Sequence, residues 1–414
     1  MPWQETLPVD QRICLCTRFQ SQEESMAELC RQFGVSRKTA YKWLARYRQE
    51  GSTGLLDHSR RPHHSPNRVN EDLKAAILAA RDAHHTWGPK KLIKRMLTEN
   101  PDLILPARST VSQILKDHGR VIPRKKRRRV PPQSRPFASC DGPNSTWCVD
   151  FKGHFLTGDS TRCHPLTVTD AHSRYLLCCQ GLCATGLEHV QPIFETTFRQ
   201  YGLPLAIRSD NGPPFASRAI GGLSRLSIWW IRLGIKPDRI EPGKPQQNGR
   251  HERMHLTLKN ETAKPPQSTF RKQQQRFEAF VEEYNNIRPH ESLDMETPAS
   301  RYVASTRSYP LRLPQMEYAC GVRLRRVDAR GQFSWKHENV FISEVLYGET
   351  IGFEAVDERY WRVSFGPVLL GMFDQWRRKM LSASQVRRLE QKWALQDQLP
   401  TCATYDSAAA AIAQ

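Results

Sequence analysis

The chain has 414 residues, with 62 Lys and Arg against 42 Asp and Glu, and a formal net charge of +20. This length predicts two to four domains, because single hydrophobic cores stop growing well below it. The charge predicts a polyanionic partner, DNA rather than a membrane surface, and no apolar run is long enough to predict a membrane span.

The eleven cysteines do not follow a metal-binding or disulfide pattern, since no C-x-x-C pair occurs and their number is odd. The first residues lack the charged-then-apolar pattern of a signal peptide. We therefore expect reduced thiols in the cytosol. The pairs His63-His64 and His84-His85 have no cysteines at zinc-finger spacing, and we interpret them as linker and surface histidines.

Residues 1–50 are predicted to form a helix-turn-helix domain. Ser21 or Ser25 is the candidate cap of its second helix, Gly34 ends that helix, and Ser36 caps the third. The third helix opens with residue types that reach phosphates and base edges. A three-helix bundle with a solvated basic face is the alternative, but the Gly-Val-Ser turn favours DNA binding. The predicted DNA contacts are Ser36, Arg37, Lys38, Thr39 and Lys42.

A linker rich in Gly, Ser, Pro and His is predicted at 51–71, followed by a second helix-turn-helix-like domain at 72–123. Its last helix has the pattern of another recognition helix, so two tandem domains would read two parts of a long site. Its predicted DNA contacts are Arg108, Ser109, Gln113 and Lys116.

A basic linker follows at 124–136, where a run of six basic residues precedes several prolines. The run is either a solvated tail or a segment that lies along phosphates, and its position between DNA-binding regions favours the second interpretation. Its predicted DNA contacts are Lys125, Lys126, Arg127, Arg128 and Arg129.

Residues 137–305 change to a pattern of strands and helices. A strand is predicted at 146–156, a hairpin partner at 165–180 with a bend at or near 170–173, and another strand in the segment that ends at Asp210. Amphipathic helices are predicted at 187–201, 248–261 and 269–286. Strands followed by alternating strands and helices predict a mixed sheet with helices on its faces.

Three acidic residues from distant segments of this region are candidates for one metal site. Asp210 ends an apolar strand and precedes an Asn-Gly turn that exposes it. Asp150 stands between two apolar residues in a predicted strand, and Glu252 falls in the first turn of a predicted helix. Such acids on a basic chain indicate a magnesium-dependent enzyme that acts on nucleic-acid phosphates.

Each of these acids has a competitor. Asp170 is the rival of Asp150, but its Thr-Asp-Ala-His-Ser context is typical of a turn. Glu241 and Glu261 compete with Glu252. Lys259 shares a helical face with Glu252, so it either holds a DNA phosphate or is an ordinary solvated lysine.

Four ordered motifs resemble the integrase-type core of insertion-sequence DDE transposases: TWCVDFKGHF, IRSDNGPPFAS, PQQNGRHERMHLTLK and YNNIRPHESLDMETPASRY. The resemblance covers about residues 10–305. It implies a ribonuclease H-like fold related to retroviral integrases, with Asp150, Asp210 and Glu252 as the catalytic and metal-binding residues. It also implies two magnesium or manganese ions per site and a homo-oligomer on double-stranded DNA, both terminal inverted repeats and target.

The resemblance therefore predicts a nucleoid-associated transposase of the bacterial cytoplasm, which binds transposon ends and catalyses metal-dependent cleavage and strand transfer. A catalytically inert DNA-binding regulator is the alternative, and a stand-alone nuclease would leave both helical domains unused. One departure is the spacing: 41 residues separate Asp210 from Glu252, several more than is typical. Residues 218–228 are expected to absorb the excess as a turn and an extended helix.

Short strand-like segments at 317–381 predict a small antiparallel β-barrel. Its basic positions Arg323, Arg325 and Arg326 either contact target DNA or form a solvated face. A short helix at 384–396 and a disordered tail at 397–414 complete the chain. The predicted fold is thus multidomain: all-α helix-turn-helix domains, an α/β ribonuclease H-like core and a small C-terminal β-barrel.

Overall fold

The structure is a computed structural model that describes residues 7–57, 68–121, 140–241 and 249–397. The chain divides into two compact units, residues 1–70 and 71–414. None of the described helices is long and apolar enough to cross a membrane. Outside the described residues lie His63-His64, most of the predicted tail, and the predicted basic contacts Lys125, Lys126, Arg127, Arg128 and Arg129.

The first unit contains helices α1 (Pro8–Gln20), α2 (Met26–Gln32) and α3 (Arg37–Glu50). Of the two candidate caps of α2, the structure selects Ser25, which forms a reciprocal capping box with Glu28. The predicted linker begins too early, because residues 51–55 form a 3-10 helix whose Leu55 is fully buried. The core of this unit is formed by Leu15, Cys16, Met26, Cys30, Ala40, Leu44 and Leu55.

The second unit begins with helices α4 (Glu71–Ala83), α5 (Pro89–Glu99) and α6 (Arg108–Asp117), which we call the second helical module. Pro89 occupies the first turn of α5, where its fixed φ suits a helix and its missing N–H leaves no bond unmade. All three helices fall within the predicted helical region at 72–123 or begin one residue before it. Their buried side chains are Ile77, Leu92, Met96, Val111, Ile114 and Leu115.

The core sheet has six strands, β1 (Thr146–Phe151), β2 (Phe155–Leu156), β3 (Arg162–Asp170), β4 (Leu176–Leu182), β5 (Ala206–Ser209) and β6 (Lys236–Arg239). Their order is β2-β3-β1-β5-β6, with β4 paired to β3. β3 runs antiparallel to β1 and β4, whereas β1, β5 and β6 are parallel. The sheet is mixed, as predicted.

Helices cover both faces of this sheet. Helix α7 (Leu187–Tyr201) and helix α8 (Arg225–Arg232) share one apolar cluster with Leu166 and Val168 of β3. Helix α9 (Gly249–Thr262) and helix α10 (Phe270–Glu282) share another with strand residues that include Cys163 and Leu176. Because side chains alternate along a strand, Thr167 and Thr169 of β3 point to the α9 side.

The C-terminal domain contains β7 (Arg323–Arg326), β8 (Gln332–Trp335), β9 (Glu338–Phe341), β10 (Thr350–Ala355), β11 (Tyr360–Phe365), β12 (Val368–Asp374) and β13 (Lys379–Met380). The five-stranded order is β13-β12-β11-β10-β7, and β8 pairs with β9 as a separate hairpin. Sheet and hairpin enclose one apolar core that includes Phe333, Trp335 and Phe353. Helix α11 (Ala383–Asp397) follows.

Helix α8 belongs to two cores at once. Leu226, Trp229 and Trp230 pack against the core sheet, while Ile228 and Ile231 pack into the C-terminal domain. Before α8, within the segment 218–228 that is expected to absorb the long spacing, Ile220–Gly222 form a 3-10 helix. Leu223 follows and also enters the C-terminal core. The segment is not a passive loop, because it joins the two domains.

Candidate active site

Asp150 and Asp210 occupy matching positions on neighbouring parallel strands. The register of β1 and β5 pairs Trp147 with Ile207 and Cys148 with Arg208. Two residues further along each chain, this register reaches Asp150 in β1 and Asp210 just beyond β5. Because the carboxyl ends of parallel strands lie at the same edge of a sheet, both carboxylates are presented there. The Asp210 carboxylate accepts a hydrogen bond of 3.2 Å from the Gly212 N–H, which opens the turn.

The Asp150 carboxyl is largely buried, with 23% of its side chain exposed. Burial raises its pKa to about 7, and the nearby charges of Asp210 and, more weakly, Glu252 act in the same direction. The environment therefore disfavours a negative charge on Asp150 unless a cation is present. The same charges connect Asp150 electrostatically to both of the other predicted acids.

Glu252 lies in the first turn of α9, and its side chain is exposed. Beside it on the helix, the buried His251 and His255 hold the start of α9 against the sheet. The Thr167 hydroxyl is 2.7 Å from Nε2 of each of these histidines, and it donates a hydrogen bond of 3.1 Å to the Asp150 carbonyl. The start of α9 is thus tied to the strand pair that carries Asp150.

Both histidines are neutral in this setting. Burial lowers the pKa of His251 to about 3. Burial also lowers the pKa of His255 to about 2, and the nearby charges of His251 and Lys152 act in the same direction. His251 Nδ1 is 3.0 Å from the Thr169 hydroxyl, and His255 Nδ1 is 3.7 Å from the Asp150 carboxylate. Sequence analysis missed this network, although the i, i+4 spacing of the two histidines on one helix was a usable signal.

The three acids do not form one closed ligand cluster. Across the described ranges, no group of three or more His, Cys, Asp or Glu side chains is arranged to hold a metal ion. The strand register brings Asp150 and Asp210 to the same edge of the sheet. The metal-binding role of all three acids stays a prediction.

The competing acids have structural roles. Asp170 is buried and accepts hydrogen bonds of 2.8 Å from Asn144 N–H, 2.7 Å from Ser173 N–H and 2.6 Å from Ser173 O–H. It stabilises the turn between β3 and β4, in agreement with its turn-like sequence. Glu261 is at the far end of α9, in a buried ion pair with Arg288.

The predicted DNA contacts lie mostly on exposed surfaces. In α3 and its cap, Thr39 is half-buried, and the exposed positions are Ser36, Arg37, Lys38 and Lys42. The Ser36 side chain also accepts a hydrogen bond of 3.2 Å from Thr39 N–H, which confirms it as the cap. In α6 the exposed positions are Arg108, Ser109, Gln113 and Lys116, and in α9 Lys259 is exposed beside Leu256.

The histidine interpretation is wrong at one position. His84 does not lie free on the surface, because its ring stacks on Trp87 at a centroid distance of 3.9 Å. Its Nδ1 lies 3.0 Å from the Glu283 carboxylate, in the π-helical turn after α10. His84 therefore contributes to the contact between the second helical module and the core.

Comparison with known protein families shows two kinds of domain in the chain. The family described as an integrase core domain matches residues 141–245 and 233–298. A helix-turn-helix domain family matches residues 11–63, and a homeodomain-like domain family matches residues 39–115. The integrase-core match at residues 141–245 covers Asp150 and Asp210, and the one at 233–298 covers Glu252.

Two relatives come from bacterial insertion elements. The uncharacterized 39.2 kDa protein of insertion element IS476 from Xanthomonas euvesicatoria is 26% identical over 236 residues, 56% of this chain and 65% of that protein. The uncharacterized 31.7 kDa protein of insertion element IS407 from Burkholderia multivorans is 26% identical over 263 residues, 62% of this chain and 88% of that protein. This chain therefore spans slightly less than two thirds of the first relative.

Among solved structures, the catalytic core domain of HTLV-2 integrase in complex with magnesium is similar to 39% of this chain and 99% of its own. The sequence identity is 17% and the TM-score is 0.32, and these values are too low to equate the two folds.

Proposed function

We propose that this chain, which belongs to the insertion-element transposases with an integrase core and N-terminal helix-turn-helix domains, binds the ends of a mobile element and cuts and joins DNA there. The observation that carries the proposal is the register of β1 and β5, which presents Asp150 and Asp210 side by side at one sheet edge. An integrase core with these carboxylates would transfer polynucleotide strands with divalent metal ions.

The residues at this edge fit such ions. Carboxylate oxygens are the hard ligands that magnesium prefers, and the raised pKa of Asp150 reflects a burial and repulsion that a divalent cation would offset. Asp150, Asp210 and Glu252 would hold two magnesium or manganese ions. When bound, such ions stabilise the charge that develops on the attacking and leaving oxygens of a phosphodiester.

The chain's own residues orient the reactants. The two aspartates fix the position of the attacked phosphate relative to the sheet edge, and Lys259, on the exposed face of α9, binds a neighbouring phosphate. Water is the nucleophile of the first cut and a DNA 3′-hydroxyl that of the joining step, so no protein nucleophile is required. This division of roles is consistent with a site built from carboxylates.

DNA recognition is assigned to the two helical regions. Helix α3 presents Arg37, Lys38 and Lys42 to solvent, and α6 presents Arg108 and Gln113. Residues of these types at the start of a helix read base edges and phosphates in a major groove. Together with the basic segment at 124–129, they would bind the terminal inverted repeats, with two ends assembled by a homo-oligomer.

The test compares wild-type chain with Asp210→Asn on duplexes that carry the element's own ends. Wild type should nick and join these duplexes only when magnesium or manganese is present. Asp210→Asn should bind the ends with unchanged affinity and cut none of them. Undiminished strand transfer by Asp210→Asn would refute the assignment, and a wild-type chain that binds but never cuts at any metal concentration would be an inert regulator.

A further inference from the structure

The second helical module contacts the far end of the helix that carries Glu252. The Glu261 carboxylate, in the last turn of α9, forms an ion pair of 2.5 Å with Arg288, and the two side chains are only 6% and 7% exposed. The Thr86 hydroxyl, from the segment between α4 and α5, donates to the same carboxylate oxygen. One buried carboxylate therefore joins the module to α9.

The surroundings of Glu261 hold this contact in one arrangement. Arg276 of α10 donates two hydrogen bonds, of 3.2 and 3.0 Å, to the Glu261 carbonyl. The Arg288 guanidinium stands 5.7 Å from the ring centroid of Trp87, which is fully buried in the module. A charged side chain is costly to bury unless its partners are in place. Glu261 and Arg288 must therefore keep their contacts with Thr86 and Trp87, and a shift of the module would move Glu261 with it.

The other contacts of the module fall on different elements. His84 pairs with Glu283, Lys90 lies 2.9 Å from Glu291, and Lys94 lies 3.0 Å from Glu296. All three acids follow α10 in the chain. The hydrogen bond from Thr86 to Glu261, by contrast, reaches α9 directly.

Helix α9 is thereby fixed at both ends. Near Glu252, His251 and His255 tie it to the sheet through Thr167. Nine residues later, about 14 Å along the axis, Glu261 ties it to the module. A helix is stiff over this length, so a shift at Glu261 is transmitted to the turn that presents Glu252.

We propose that Glu261 is a positioning residue, held by Thr86 and Arg288, through which the DNA-reading second module sets the position of Glu252 at the metal site. The proposal rests on the function proposed above. A displacement of about 1 Å at a catalytic group reduces the reaction rate severely. A small shift of α9 relative to the sheet is therefore sufficient to slow cleavage. DNA that binds along α6 then acts on the active site through the same rigid contact.

The test uses the full-length chain with Thr86→Val, which removes the module's hydroxyl and keeps the shape of the side chain. Glu261→Gln removes the charge, and Thr86→Ser restores the donor. The matched control is Glu283→Gln, which breaks the pair with His84 in the same interface but away from α9. Three quantities are measured for each variant: affinity for end DNA, single-turnover cleavage rate against magnesium concentration, and amide hydrogen exchange of α9 and α10 without metal.

Thr86→Val and Glu261→Gln should bind end DNA like the wild type, cleave it more slowly by on the order of tenfold, and need more magnesium for half-maximal rate. Exchange should rise in α9 but not in α10, and Thr86→Ser and Glu283→Gln should match the wild type. The proposal is overturned if the α9 amides and the magnesium dependence of both variants stay at wild-type values, or if Glu283→Gln changes them equally. A wild-type chain without metal-dependent cleavage would instead reject the proposed function, and the exchange comparison would still decide the role of Glu261.

Discussion

Asp150 and Asp210 each lie two residues beyond Cys148 and Arg208, the last pair in the parallel register of β1 and β5. Adjacent strands are about 4.8 Å apart, so the backbone alone brings the two acids close before any side chain is adjusted. The third acid, Glu252, comes from a helix and needs other contacts to reach them. The site therefore has a rigid half and a half whose position depends on packing.

The position of Asp150, which strand pairing fixes, leads to a prediction for Asp150→Asn. If Asp150 binds metal as proposed, loss of its carboxylate should reduce single-turnover cleavage by about 1000-fold or more, because metal stabilisation of a transition state is worth several kcal/mol. Asp141→Asn, at an exposed position before β1, is the control and should cleave normally. Equal rates for Asp150→Asn and wild type would exclude Asp150 from the site.

The hydroxyl of Thr167 predicts a loss of stability. Thr167→Val leaves buried nitrogen atoms of His251 and His255 without a partner and removes the bond to the Asp150 carbonyl. The free energy of unfolding should fall by about 1–3 kcal/mol in urea denaturation. Thr196→Val, on the exposed face of α7, should change it by less than about 0.5 kcal/mol. Similar values for both variants would show that the network is not stabilising.

Burial of Lys91 predicts a dependence on pH. Burial, with the charge of Arg288, lowers the pKa of Lys91 from 10.5 to about 7. The folded chain therefore carries a penalty for the charged ammonium that is complete below pH 7 and disappears as the pH approaches 10.5. Lys91→Met should raise the free energy of unfolding by about 2 kcal/mol or more near pH 6, with a smaller gain at higher pH.

Lys90→Met is the control for this prediction, because the Lys90 ammonium is about half exposed and pairs with Glu291. Its effect should stay below about 1 kcal/mol at every pH. Denaturation midpoints measured from pH 6 to pH 10 test both variants. A gain for Lys91→Met that does not decline with pH would refute the burial penalty.

Because α8 packs against both the core sheet and the C-terminal domain, we can predict the effect of removing that domain. A chain that ends at residue 305 exposes Leu223, Ile228 and Ile231, which the C-terminal domain covers. It should aggregate on expression, since newly exposed apolar patches promote association. A chain that ends at residue 397 retains this cover and should stay in solution, as size-exclusion chromatography would show. A monodisperse 1–305 fragment would contradict the prediction.

The recognition helices predict different salt dependences. Lys42→Ala should weaken end binding and lower the slope of log affinity against log salt by about 1 if Lys42 neutralises one phosphate. Gln113→Ala should instead reduce discrimination between the cognate end and a mutated end by about 1–3 kcal/mol, with an unchanged slope. Binding isotherms at several salt concentrations separate the two, and identical behaviour would remove the distinction between phosphate and base contact.

The sequence predicted local elements well wherever periodicity and caps agreed. Helix α7 matches the predicted 187–201, and Ser36 caps α3 as expected. Asp150 and Asp210 were predicted as site residues because each is an acid in or at the end of an apolar strand. Their register could not be predicted, since it depends on the pairing of β1 with β5, about sixty residues apart in the chain.

The elements that were missed depend on contacts between distant segments. Thr86 and Glu261 meet across 175 residues, and neither sequence context carries a signal of its own. Likewise, Thr167 and His255 are 88 residues apart. The residues at 218–228 looked like an inserted turn because nothing local shows that Leu223 and Ile228 have a partner in a later domain.

Because α8 has one face in each of two cores, neither core is complete without it. Grafting the C-terminal domain of a relative onto this chain would therefore have to include the segment at 218–232, which lies inside the catalytic sequence. The C-terminal core and the segment between Asp210 and Glu252 are thus one packing unit, so a change of side-chain volume in either would have to be accommodated by the other.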